Sequence, residues 1–450
     1  MTGTSSPPSR WPGYNAVWRW HFYAGLFCIP FVLWLALTGS IYLFRPQIEA
    51  LLDRPYAQVA GPGPRASAAA QADAAVRAVP GSALHRYQIP ETETQAVQIL
   101  VGDRSGETRV YVHPQTLAIL KTVSERDRPM PVLSRLHGEL LAGNPGSYAV
   151  ELAASWAIVM ILSGLFLWWP RGGGLAGILY PRLRSRRMWR DLHAVTGFWV
   201  SFFALFLLMS GLPWAKSWGS YLKAVRSVAE GSVVKPDWAI GATPAAQATR
   251  MMQGDHAEHG GMAMAHPAGS HEPLDRLIAA VRPLDLAGPV LIAPPTGPDQ
   301  SWTAKSDAAN RPMRTSLELD GPTGQILVRE DFAERRLVDR IVGYGVAAHE
   351  GQLFGLANQL LNLATAIGLI LMTVSSVILW WRRRPEEVLG APPALGGPPV
   401  AAGFVALLVV LGVLLPLFGA TMVAVLLVER LVLRRLSGAR RWLGLAPAAS

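Results

Sequence analysis

Four histidines recur at matched positions along this chain. His21 closes Trp18-Arg19-Trp20-His21, and His193 closes Trp189-Arg190-Asp191-Leu192-His193, a near copy one residue longer. Gly25 and Gly197 each follow their histidine by four residues, and the pairs Thr38-Gly39 and Ser210-Gly211 come later at equal offsets. His137 precedes Trp168-Trp169 by 31 residues, as His349 precedes Trp380-Trp381. A lone histidine at the end of an apolar run reads most simply as a snorkelling or capping side chain. Four at repeated offsets read differently, because ionisable groups in or beside membrane spans are costly and tend to be functional. The chemistry they point to is metal or haem ligation.

A bis-histidine haem needs two neutral imidazoles facing each other, with small residues where the macrocycle lies against helix backbone. Gly25 and Gly197 stand one turn from His21 and His193, on the same helical face, although glycine there also serves helix packing. Depth pairs the ligands. His21 and His193 open apolar runs and lie at one membrane face. The 31 residues from His137 to Trp168 span about 46 Å if helical, which exceeds the hydrocarbon thickness. His137 and His349 therefore lie at the other face. Two haems are expected, His21 with His193 and His137 with His349. Together they form an electron route across the membrane. Two histidines leave no open iron position, which favours electron transfer over oxygen chemistry.

The elements that must position these residues are apolar runs. Half of the 450 residues are hydrophobic and only 16% are charged, a membrane-protein composition. Phe22–Phe44, Tyr148–Trp169, Phe198–Trp214 and Leu356–Trp381 are each about long enough to cross a core of roughly 30 Å. Val400–Leu433 is longer and broken by Pro416 and Gly419. It reads as a hairpin of two short spans in preference to one kinked span, giving six spans, not five. The first run is too long for a cleavable signal peptide.

The net charge of +10 invites a nucleic-acid reading that its distribution rejects. Arg45 to Ser134 holds 10 basic and 9 acidic residues, and Trp214 to Ala348 holds 14 and 15. Of the other 17 basic residues, 16 lie on the opposite side: Arg10, Arg19, six from Arg171 to Arg190, Arg382 to Arg384, and five from Arg430 to Arg441. This is positive-inside asymmetry. It places the N-terminus and the C-terminal tail in the cytoplasm and both large domains outside. The basic excess then meets lipid headgroups, not nucleic acid.

The expected fold is an integral membrane α-helical protein with two small α+β external domains and an internal repeat of span, domain, span. Its layout is a cytoplasmic tail and first span over 1–44, and a first external domain over 45–134. An outer-face histidine helix and second span follow at 135–170, then a basic cytoplasmic loop at 171–191 and a third span at 192–214. The second external domain is 215–348, the fourth span 349–382, a cytoplasmic linker 383–399, the terminal hairpin 400–433 and the tail 434–450. In each external domain one helix, Ala66–Val79 or Leu274–Val281, is followed by short alternating strands. These are Ala96–Val101, Thr108–Val112 and Ala118–Val123, then Val290–Ala293, Ser301–Ala304, Arg314–Leu319 and Gln325–Arg329.

An insert over 241–271 has no counterpart in the first repeat. His256, His259, His266 and His271 with Met262 and Met264 offer imidazole and thioether donors suited to copper, especially Cu(I); a dispensable linker is the plainer reading. Cys28, the single cysteine, excludes intrachain disulfides and cysteine-ligated iron–sulfur clusters. The tryptophan pairs read as an interfacial belt, and Trp34 and Trp199 as lipid-facing side chains that could also line a path between haems. Glu139 and Glu350 read as loop carboxylates able to tune the outer histidines. With no phosphate loop or nucleotide fingerprint, a nicotinamide or flavin site would need another protein.

Several motifs together resemble the PepSY-associated transmembrane family, whose members include siderophore reductases of the bacterial inner membrane. They are Trp20-His21 with Thr38-Gly39, Leu136-His137, and Ser163-Gly164-Leu165-Phe166-Leu167-Trp168-Trp169-Pro170. Leu192-His193-Ala194-Val195-Thr196-Gly197 and Gly343-Tyr344-Gly345 before His349-Glu350-Gly351-Gln352-Leu353-Phe354-Gly355 complete the set. Tyr111-Val112-His113-Pro114-Gln115-Thr116 resembles the strand and turn of a PepSY module, with His113 and Thr116 where Asp and Gly are commoner. The resemblance implies haem b, outward electron transfer and an oxidoreductase that releases iron from a periplasmic ferric siderophore. Two other readings stand beside it: a copper reductase or handling protein, and a non-redox anchor whose outer domains bind a ligand or protein. Deleting Gly254–His271 is expected to abolish copper binding in a competition titration while leaving haem content unchanged; an intact protein that takes no copper would leave the insert a linker.

Overall fold

The computed structural model describes residues 13–103, 106–169, 176–230, 271–296, 300–392 and 402–445. The helices in chain order are α1 (Tyr14–Tyr42), α2 (Arg45–Asp53), α3 (Ala68–Ala78), α4 (Pro129–Glu139), α5 (Asn144–Trp168), α6 (Met188–Gly211) and α7 (Lys216–Glu230). They continue with α8 (Pro273–Val281), α9 (Leu337–His349), α10 (Leu356–Arg383), α11 (Ala402–Leu414), α12 (Pro416–Val428) and α13 (Ser437–Leu443). The strands are β1 (Ala83–Ile89), β2 (Val97–Asp103), β3 (Gly106–Val112), β4 (Ile119–Ser124), β5 (Val290–Ala293), β6 (Trp302–Ser306), β7 (Thr315–Leu319) and β8 (Ile326–Asp331). Two compact units result. One takes Met1–Ile41, Arg135–Val234 and Leu360–Ser450; the other takes Tyr42–Ser134 and Lys235–Gln359.

Among the described residues, five helices are long and apolar enough to cross a membrane: α1, α5, α6 extended to Trp214, α10, and α12 extended to Leu433. The four expected spans coincide with the first four of these. In the helical unit α5 is the central helix, with Trp156, Ala157, Ile158 and Val159 all buried. Trp156 stacks on Trp20 at 6.4 Å, meets Phe418 edge-on at 5.0 Å, and donates its indole N–H to Thr421 Oγ1 at 3.1 Å. Large apolar side chains such as Phe202 and Met209 are exposed, at 74% and 61%. On a spanning helix that exposure faces lipid and needs no protein partner.

The last apolar run is two helices, not one. A Cβ on Gly419 would lie 3.1 Å from Gly412 Cα, whereas seven residues of continuous helix separate such atoms by about 10 Å. The chain reverses at Leu415, and Pro416, which has no N–H to leave unsatisfied, opens α12. Both ends of this stretch return to one place. The Leu389 N–H donates to Trp442 O at 2.9 Å, Arg19 donates to Gly444 O at 3.0 Å, and the Tyr23 hydroxyl donates to Leu443 O. The 13-residue α11 is shorter than the five spanning helices.

Sequence reasoning expects no helix at α7. Its start is capped from another helix: the Glu151 carboxylate of α5, 2% exposed, accepts from Ser217 N at 2.8 Å and Trp218 N at 3.0 Å. A carboxylate at a helix N-terminus satisfies orphan donors and complements the helix dipole.

In the other unit the two halves expected as separate external domains share one sheet. Its order is β4-β3-β2-β1-β5-β6-β7-β8, antiparallel throughout, and it reads the same pattern outward from the β1–β5 seam. Tyr87 pairs with Ile292 and Ile89 with Val290 across that seam. Separate domains would leave both apolar edges unpaired. The strand β1 escapes detection by alternation because a bulge between Leu84 and Arg86 shifts its register, so its buried positions are Leu84, Tyr87 and Ile89. One sheet face packs on α3 and α8, burying Ala72, Ala75, Leu274, Leu277, Ile99, Val101, Ile292 and Leu317. Helix α8 also caps α3: Asp275 accepts from Ala68 N at 2.7 Å and Ala69 N at 3.2 Å.

The two hairpin turns explain a departure from the family pattern. Asp320 accepts from Thr323 N at 2.8 Å, and Gly324 takes the left-handed φ of +76° that follows. In the other half His113 replaces the aspartate: its Nδ1 accepts from Gln115 N and Thr116 N at 3.2 Å, while Nε2 donates to Val59 O at 3.0 Å. The left-handed position is Leu117, φ +62°, so the residue standing where glycine is favoured is Leu117 and not Thr116.

The sheet's second face is polar. Arg109 pairs with Glu125 at 2.9 Å and reaches Gln98 at 2.6 Å, Arg128 pairs with Glu125 at 2.9 Å, and Tyr111 donates to Asp53 at 2.8 Å. Burial favours the neutral Glu125 carboxyl, but Arg109 and Arg128 outweigh it and hold its pKa at about 2, against an ordinary 4.5. Because the folded pKa lies below the unfolded one, this stabilisation is complete above pH 4.5 and is lost as pH falls toward 2. Glu125→Gln leaves two largely buried guanidinium groups undercompensated and is expected to cost about 3 kcal/mol. Thermal unfolding of the full-length protein in detergent should show the deficit at pH 7 and its disappearance under acid; equal melting temperatures at pH 7 would remove the network from the stability account.

Candidate functional site

The histidine at the start of α1 is held by α5. His21 Nδ1 lies 3.0 Å from Met160 O and 3.0 Å from Ser163 Oγ. Ser163 donates its own hydroxyl proton to Met160 O at 2.9 Å. A carbonyl can only accept, and the serine oxygen has spent its proton, so Nδ1 must carry the hydrogen and Nε2 the lone pair. Gly164 allows the approach: a Cβ there would sit 3.1 Å from His21 Cε1.

The same arrangement recurs on α6 and α10. His193 Nδ1 lies 3.2 Å from Met372 O and 3.4 Å from Ser375 Oγ, and Ser375 donates to Met372 O at 2.9 Å. Met372 and Ser375 follow Met160 and Ser163 by the spacing that separates His349 from His137. Among the described residues neither Nε2 has a hydrogen-bond partner, and the two rings lie within electrostatic reach of each other. An imidazole whose Nδ1–H is spent on a backbone carbonyl presents Nε2 as a ligand in fixed orientation, the usual outer-shell support of a metal-bound histidine.

His137 sits on α4 in the same unit. Its Nδ1 lies 2.9 Å from Thr38 Oγ1, and Thr38 donates to Trp34 O at 2.8 Å. The repeated small-Gly pair thus has a local use here: Thr38 orients the ring, and a Cβ on Gly39 would come 3.2 Å from His137 Cε1. Trp34 donates its indole N–H to Leu136 O at 3.0 Å, which ties α1 to the histidine helix. His349 ends α9 in the sheet unit. The turn after it is clamped by Asn358, which donates to Ala348 O at 3.0 Å and accepts from Leu353 N at 3.2 Å. Glu350 faces Arg311 at 3.8 Å.

The two flanking glycines turn toward methionines. A Cβ on Gly25 would meet Met160 Sδ at 3.8 Å, and one on Gly197 would meet Met372 Cε at 3.2 Å. These are the residues whose carbonyls hold the histidines. Trp199, on α6, donates its indole N–H to Leu179 O at 2.9 Å and so is tied to the 176–187 loop. Of the insert's proposed donors, His256, His259, Met262, Met264 and His266 lie outside the described residues. His271 pairs with Asp73 of α3 at 2.6 Å. Among the described residues no group of three or more His, Cys, Asp or Glu is placed to hold a metal ion.

Sequence reasoning missed Met160, Met372 and Ser375 and named Ser163 only as part of a family motif, without a role. The signal was present in their shared offset. They act through a carbonyl and a hydroxyl, however, and neither residue type advertises itself as a site.

A multi-helix protein able to span a membrane, joined to an α+β sheet region, is the class these features define. The chain belongs to the PepSY-associated TM family, whose defining region matches residues 18–383 and so includes all four repeated histidines. Comparison with curated proteins returns no match.

Gly164→Val should push the His21 ring off Met160 O and cost about 1–3 kcal/mol, the usual range for overpacking. Gly25→Ala, whose Cβ makes only ordinary contact, should be tolerated and gain up to about 1 kcal/mol of helix propensity. Melting temperatures of the two variants in detergent test this, and equal values would show that Gly164 does not set the ring's place.

Proposed function

We propose that this protein is a dihaem b reductase of the bacterial inner membrane, passing electrons outward to a periplasmic ferric chelate, a ferric siderophore in the family's terms. The observation that carries the reading is the matched support of His21 and His193. Two imidazoles on neighbouring spans have Nδ1–H committed to carbonyl and hydroxyl, and each keeps an Nε2 lone pair. Haem b bound there would supply a one-electron Fe(III)/Fe(II) couple.

The chain's own part is positioning. Met160 and Ser163 fix the tautomer and tilt of His21, and Met372 and Ser375 do the same for His193. Thr38 orients His137, with Gly39 giving it room. The sequence repeat assigns the second haem to His137 with His349. The charge asymmetry supports a cytoplasmic N-terminus, with the sheet unit on the side where a chelate arrives. Membrane lipid and a cytoplasmic or membrane-bound electron donor are the remaining partners.

A pyridine haemochrome assay is expected to give two haems b per chain. His21→Ala and His193→Ala should each lower that to one, with the remaining haem still reducible by dithionite. Wild-type protein purified without haem would end this reading.

A further inference from the structure

Around the start of α6 lies a surface that the histidine chemistry does not use. From Arg171 to Arg190 the chain carries six arginines and no acid. Arg184, Arg186, Arg187 and Arg190 are exposed. Among them stand two exposed apolar side chains, Tyr180 at 56% and Leu183 at 59%.

The loop beneath is fastened at several points. Asp191, fully buried, takes a two-pronged pair from Arg182 at 2.6 and 3.0 Å and a third contact from Arg190 at 2.9 Å. Trp168 donates to Ile178 O at 3.2 Å and Trp199 to Leu179 O at 2.9 Å. Gly177, at φ +80°, leaves room for Arg182 and Asp191, which a Cβ would meet at 2.4 and 3.0 Å. The arginine run ends at Arg190, three residues before His193.

Lipid headgroups attract arginines wherever they lie near the membrane plane and do not require a fastened loop. A fixed backbone presenting an exposed tyrosine and leucine among exposed arginines combines the apolar and basic side chains that a protein interface uses. Holding it rigid beforehand reduces the ordering cost of binding.

We infer that the 176–190 loop is the docking surface for an acidic, soluble one-electron donor protein. The inference rests on the dihaem reading for its purpose and on the loop alone for its binding. Complementary charge steers such a partner and orients it at the His193 end of the unit. The transfer moves one electron from the reduced donor to this protein and makes or breaks no bond.

The test uses the full-length protein in nanodiscs and flavodoxin, a small acidic flavoprotein, as probe. Binding of oxidised flavodoxin is followed by flavin fluorescence anisotropy, independently of haem. Haem reduction by reduced flavodoxin is followed by stopped flow. The variant is Arg184→Gln with Arg186→Gln and Arg187→Gln. Wild-type binding and reduction should weaken steeply with salt, and the variant should lose about tenfold in rate at low ionic strength. Dithionite should bring both proteins to the same final spectrum. An equal rate and affinity for variant and wild type would overturn the docking surface. So would rates that follow the anionic-lipid content of the nanodisc and ignore the substitutions, since the arginines would then serve headgroups. If flavodoxin binds through the arginines but no haem is found, the surface stands and the dihaem reading falls.

Discussion

An imidazole N–H inside an apolar helix bundle must find an acceptor, because hydrocarbon offers none. In this protein the acceptors are backbone carbonyls of neighbouring helices, Met160 O and Met372 O, each of which also accepts from a serine three residues on. Much of the helical unit follows from that requirement. Helix α1 must lie close against α5, and α6 against α10, near the level where these histidines enter. Gly164 removes the side chain that would hold the first pair apart. Buried hydroxyls at Ser163 and Ser375 are tolerable at 3% and 0% exposure because each hydroxyl proton is spent on the carbonyl it shares with the histidine.

A different economy governs the sheet unit. One face is a dry layer of aliphatic side chains under α3 and α8. The other is a chain of charges and amides in which Arg109 alone touches Glu125, Gln98 and Gln88. Such a network is costly to bury and costlier to break, so it fixes where α2 and the segment before α4 can sit. The turns show the same logic at smaller scale. His113 does with a ring nitrogen what Asp320 does with a carboxylate, since the turn needs an acceptor of a certain reach and not a negative charge.

Much of this was legible in the sequence, for identifiable reasons. Long apolar runs have few alternatives, so the first four spans were placed by hydropathy. The four histidines stood out because repetition is unlikely for side chains without a shared task. The α3 and α8 helices and seven of the eight strands followed from punctuation and alternation. The exception, β1, hides behind a bulge that moves its apolar positions out of phase. Helix α7 was invisible because its cap, Glu151, is supplied by a distant helix. The partners of His21 and His193 were invisible for a related reason: a carbonyl has no residue type. The joining of two domains into one sheet depends on an edge pairing that no local pattern encodes.

That seam between β1 and β5 bears on how the protein is made. Strand β1 ends at Ile89 and its neighbour begins at Val290, about 200 residues later. At a synthesis rate of roughly 5–20 residues per second, the first half-sheet waits on the order of 10–40 seconds with an apolar edge unpaired. During that wait the intervening helices α5 and α6 must leave the ribosome and find their places. An open edge is a template for any passing strand, so the first half-sheet is open to wrong pairing during this interval. Completion of the sheet then closes a loop that contains the two long apolar helices α5 and α6, and the second half serves as the first half's permanent edge protection.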